Sequence, residues 1–150
     1  MELLYGSPIG LLIYMAAWAI IEIEIEGRRG WSEGTETWYR FTGTAARIYM
    51  VFTGGKPLTG YHLAMNVVNI TAFWYWTRSL GATLTAWILF AVIEDFLWFV
   101  ANPAFGVRKF TAEAIWWHRK AWWLIAPREY FLMGGLAVGL YLAGRGLLPV

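Results

Sequence analysis

Cysteine is absent from the 150 residues. The chain can therefore form no disulfide, offer no thiolate to a metal and use no cysteine nucleophile. Charge is scarce as well: Asp, Glu, Lys and Arg make up 15% of the residues, and the formal net charge is +2. So small an excess gives a polyanion little to bind, which argues against nucleic acid as a partner. Histidine occurs only at His62 and His118, and neither stands in a His-x-x-x-His or Glu-x-x-His pattern. Any metal would have to draw its ligands from separate segments.

Apolar surface is what the chain has in quantity. Hydrophobic residues make up 59% and aromatic residues 19%, with 11 tryptophans. They come in blocks near the length of about 20 residues that crosses a bilayer. This pattern predicts an all-α, polytopic membrane protein with one integral domain over residues 1–150. The expected core is a bundle of four transmembrane helices at about 8–26, 60–80, 83–102 and 127–144. The first block lacks a basic leader and a small-residue cleavage site, so it reads as a retained helix.

Local signals mark the ends of these spans. Ser7-Pro8 reads as a cap followed by proline in the first turn, and Gly27 closes the span. Thr59-Gly60 starts the second span and Gly81 stops it. Asn102-Pro103 ends the third, because proline removes a donor and disfavours a helical residue before it. Pro127 opens the fourth, where Gly135, Gly139 and Ala143 form a small-residue stripe suited to close helix packing or a homo-oligomer.

Two connections read as amphipathic segments in the headgroup region. In the first, Trp38, Phe41, Ala45, Ile48, Tyr49 and Phe52 recur at helical spacing, with Arg40 and Arg47 elsewhere on the wheel, and Arg28, Arg29, Trp31 and Trp38 suit the interfacial belt. The second, 104–126, carries Trp116, Trp117, Trp122 and Trp123, with Thr111 as its expected cap. Its helical wheel sets His118 on the apolar side, away from Glu113 and Lys120.

The basic residues orient the bundle. Arg28, Arg29, Arg40, Arg47 and Lys56 lie between the first two spans, and Arg108, Lys109, Arg119, Lys120 and Arg128 between the last two. Only Arg78 and Arg145 lie opposite. The positive-inside rule then makes both long connections cytoplasmic and both termini external.

This orientation gathers the costly polar residues at one end. Glu94 and Asp95 interrupt the apolar run of the third span, where a charge costs about 2.5–3.5 kcal/mol on insertion scales. Glu22 and Glu26 share a helix face, with Glu24 turned away. His62, Asn66 and Asn69 form one stripe, and interhelical hydrogen bonding is the simplest role for the two asparagines. His118 belongs to the connection on the same side.

Carboxylates with imidazoles suit zinc, iron or manganese. The expected ligands are Glu94, His62 and His118, with Glu22, Glu26 or Asp95 completing the set. Without a metal, Glu94, Asp95, His62 and His118 form an acid–base group, with Asn66 and Asn102 orienting it. The favoured expectation is a membrane-embedded enzyme acting on a lipid or isoprenoid-like substrate. The alternatives are a proton or cation transport component and an accessory subunit of a larger membrane complex.

Ile93-Glu94-Asp95-Phe96-Leu97-Trp98-Phe99 resembles the acidic motif of the small bacterial and archaeal lycopene cyclase domains, with Val92 where that family has proline. The resemblance covers seven residues and implies proton-initiated cyclisation of a polyene.

Overall fold

A computed structural model describes residues 8–30, 41–53, 56–115 and 117–145. The expected Ser7 cap, and Trp31, Trp38, Arg40 and Trp116 of the interfacial segments, lie outside the described residues. The fold is all-α in character, with five α-helices among the described residues: α1 Pro8–Glu26, α2 Thr44–Phe52, α3 Gly60–Thr77, α4 Leu80–Ala101 and α5 Arg128–Gly144. Among the described residues only α4 is both long and apolar enough, by length and composition, to cross a membrane.

Helix α4 is the axis of the molecule. It packs most extensively on α5, then on α1 and α3. Ser79 caps its start through the Ala82 N–H, and the Asn102 N–H closes its end on the Trp98 carbonyl. The expected stop of α3 at Gly81 is corrected: the helix ends at Thr77, and Arg78 takes the left-handed conformation with φ 51°. Because Ser79 already caps the next helix, Gly81 is free to join its first turn.

Two apolar clusters fill the bundle. Met15, Phe73 and Phe90 pack together in its middle. Ala19, Trp98, Phe99 and Ile115 pack where α1 and α4 meet the long connection. The asparagine stripe bonds across helices: Tyr14 donates its hydroxyl hydrogen to Asn69 Oδ1 at 2.7 Å, and Trp87 Nε1 donates to Asn66 Oδ1 at 2.9 Å.

The segment 104–126 is not the interfacial helix that its tryptophans suggest. Thr111 does accept the Ala114 N–H, but for a single turn only. Short 3-10 turns at Val107–Lys109 and Arg119–Ala121 lead into a small hairpin, β1 Trp122–Trp123 paired antiparallel with β2 Ala126–Pro127. Its aromatics point in too many directions for one helical face. Phe110 lies 5.2 Å from Phe99, and Trp117 stacks on Phe99 at 5.9 Å. Folding the loop back partly buries Phe110 and Trp117 and buries His118, which a surface helix would leave at the interface.

Candidate functional site

Hydrogen bonds fix which helix ends meet. Asn102 Nδ2, just beyond α4, donates to the Gly27 carbonyl just beyond α1. His62 in the first turn of α3 faces Glu22 and Glu26 at the end of α1. Tyr130, at the start of α5, donates its hydroxyl hydrogen to Asp95 Oδ2. One end of the bundle therefore receives all of these polar groups.

Glu22 and Glu26 are four residues apart, so one face of α1 presents both carboxylates to α3. They are 5% and 4% exposed, and His62 is 1% exposed. His62 Nε2 lies 3.5 Å from Glu22 Oε1 and 3.7 Å from Glu26 Oε1. The other ring nitrogen, Nδ1, lies 2.6 Å from the Thr59 hydroxyl oxygen. Thr59 is the cap of α3, and its oxygen also accepts the His62 backbone N–H. When Nδ1 donates to this oxygen, the Nε2 lone pair points at the two carboxylates. That tautomer is the one a metal ligand requires.

One ligand atom from each of Glu22, Glu26 and His62 falls within 4.8 Å of the others. This buried group can hold a metal ion. Glu94, from α4, adjoins Glu22, and its buried Oε1 has no hydrogen-bond partner among the described residues. Tyr49, on α2, lies within electrostatic reach of the group. Burial, then the charges of Glu22, Asp95, Glu26 and Glu94, raise the Tyr49 phenol above its ordinary value and keep it a neutral donor.

A second polar group lies on the α5 side. Lys56 Nζ approaches Asp95 Oδ1 at 3.5 Å, and Tyr130 bonds the other oxygen. His118 Nε2 is 3.8 Å from Asp95 Oδ2, and His118 Nδ1 is 3.9 Å from Glu129 Oε1. Burial pushes His118 below the ordinary histidine range; Lys56 acts in the same direction, and Asp95 and Glu129 oppose it. Both His118 nitrogens and both Glu129 oxygens are buried without a hydrogen-bond partner among the described residues. Each such atom costs about 1–3 kcal/mol.

The expected ligand set Glu94, His62 and His118 is thus divided. His62 faces Glu22 and Glu26, whereas His118 faces Asp95 and Glu129. Of the expected orienting residues, Asn66 bonds the His62 carbonyl at 2.6 Å and Asn102 caps α4. Sequence reasoning missed Glu129 and Tyr130 at the start of α5 and the inward turn of Lys56 in the loop before α3, because solvated polar residues are ordinary at such places. An open groove of about 570 Å³ flanks this end, with Arg28, Asn102 and Lys109 in its wall.

No known family model matches the chain, and neither a curated protein nor a solved structure does. The seven-residue likeness to lycopene cyclase domains accordingly assigns no family.

Proposed function

We propose that the chain is a membrane-embedded, metal-dependent enzyme acting on a lipid or isoprenoid-like substrate at its carboxylate–histidine end. The observation that carries this reading is the Glu22–Glu26–His62 group, three mutually close, buried donors from two helices. Two buried carboxylates side by side beside an imidazole suit a shared cation. An ion there would be zinc, iron or manganese by donor type. When bound, such an ion polarises a phosphate or carbonyl oxygen. Glu94, beside Glu22, is placed to give or take a proton, and Thr59 holds the His62 ring in position.

The outer surface supports a lipid setting. Ile13, Val67, Leu80, Leu132 and Val138 are exposed on α1, α3, α4 and α5. We read all four helices as spans. At 17 to 22 residues they measure about 25–33 Å at 1.5 Å per residue. Polar residues make α1 and α3 less apolar than α4, but Glu22, Glu26, His62 and Asn69 are the ones the bundle buries. From the distribution of Lys and Arg we read the site as cytoplasmic, and Arg28 and Lys109 in the neighbouring groove suit an anionic headgroup.

The test is elemental analysis of protein purified in mild detergent, without chelator or histidine tag. Metal should be bound to the parent and to Glu113→Gln, whose side chain is exposed. His62→Ala should lose the ion of its group, and Glu94→Gln should lose activity on extracted lipids. A metal-free parent would sink this reading and turn attention to a transport component or an accessory subunit.

A further inference from the structure

We propose that His118 and Glu129 form a second site for a divalent transition-metal ion, with Asp95 positioning the histidine from behind. This adds to the metal-dependent reading above, and the two are separable because the ligand sets share no residue.

The case begins with Asp95, whose needs are met within the protein. Lys56 pairs with one oxygen and the Tyr130 hydroxyl bonds the other. Held in this way, the carboxylate faces His118 Nε2 at 3.8 Å. As the nearer carboxylate, Asp95 favours the tautomer with the proton on Nε2 and the lone pair on Nδ1, the usual arrangement behind a metal-bound histidine. The opposite nitrogen, Nδ1, looks at Glu129 Oε1 across 3.9 Å.

Like the Asp95 contact, that gap is too long for a direct hydrogen bond. It is close to the spacing of two donors sharing one ion, since each would sit about 2.0–2.2 Å from it. His118 and Glu129 are 2% and 4% exposed, and all four of their polar side-chain atoms are buried without a hydrogen-bond partner among the described residues. Polar atoms buried this deeply are nearly always partnered. One imidazole with one carboxylate selects zinc, manganese or iron over calcium or magnesium.

Glu129 sits in the first turn of α5, where an acid ordinarily interacts with the helix dipole from the surface. Here its oxygens are turned inward against a histidine from the long connection. The refolded loop and the start of α5 supply one protein ligand each, and the remaining positions on the ion stay open for water or substrate oxygen.

The experiment counts metal per chain in detergent-purified protein reloaded with zinc and passed through a desalting column. We expect two ions in the parent, one in Glu129→Gln, one in His118→Ala, one in His62→Ala, and none in His62→Ala/His118→Ala. Glu129→Gln keeps the side-chain volume, so monodisperse elution and unchanged helical circular dichroism should accompany its loss of one ion. Asp95→Asn should weaken the second ion about 10–100-fold while leaving the first in place. A parent with one ion that survives Glu129→Gln and His118→Ala overturns the second site and leaves the first. One ion that survives His62→Ala but is lost in Glu129→Gln supports the second site and overturns the first. A parent that takes up no zinc overturns both. Should the His118 variant fail to fold, zinc titration of the chelator-stripped parent still decides, because one equivalent lost on Glu129→Gln supports the site and an unchanged endpoint overturns it.

Discussion

At the scale of single residues, Thr59 carries more than its place at a helix start suggests. Its one oxygen caps α3 and also holds His62 Nδ1 at 2.6 Å. Thr59→Val removes that oxygen at nearly constant volume. Metal affinity at the Glu22–Glu26–His62 group should fall about 10–100-fold, as it does when an outer partner of a ligating histidine is lost. Competition with a chelating dye reads the affinity, and Thr59→Ser should restore it. The lost cap also costs about 1 kcal/mol of stability, which a denaturation midpoint reports separately. Equal affinity in Thr59→Val and the parent would show that Thr59 does not set the His62 ring. Part of this site was legible in the sequence, because Glu22 with Glu26, and His62 with Asn66 and Asn69, follow the helical period. Glu129 and Lys56 were not legible. Their inward turn depends on how the loop and α2 fold back, which periodicity does not encode.

Among the elements, the helices were easier to read than the connections. The ends of α1, α4 and α5 fall at Gly27, Asn102 and Pro127 because glycine, a proline-preceding residue and proline constrain the backbone locally. The path of the 104–126 connection is not legible in the sequence, because its tryptophans satisfy an interfacial helical pattern equally well as separate packing anchors. Gly30 joins the two kinds of element. It follows the 3-10 turn Gly27–Arg29 with φ 70°, and a Cβ placed on it would run into the Trp117 indole. Gly30→Ala therefore combines left-handed strain with displacement of a ring that stacks on Phe99. We expect a loss of about 1–3 kcal/mol, seen as a lower thermal midpoint and a changed tryptophan emission. Gly135→Ala should do neither, because nothing lies within 4 Å of a Cβ built there. If Gly30→Ala melts like the parent, the loop is not anchored on the end of α1.

The whole molecule is polar at one end and apolar along its flanks. The contacts from Asn102 to Gly27, from His62 to Glu22 and from Tyr130 to Asp95 require α1 and α4 to finish where α3 and α5 begin. The Arg78–Ser79 connection lies at the other end, where Thr77 and Thr83 join their hydroxyls at 2.7 Å. If all four helices span, the two ends face different compartments, and the absence of cysteine makes this directly testable. A single cysteine at Ser79→Cys or at Lys109→Cys, both exposed positions, has no background to compete with. The positive-inside distribution predicts that a membrane-impermeant maleimide labels Ser79→Cys in intact cells and Lys109→Cys only after permeabilisation. The reverse pattern would keep α4 as a span but move the acid–histidine end outside. Equal labelling of both in intact cells would mean that α4 does not cross at all. The exposed aliphatic flanks would then need a protein partner rather than lipid to cover them.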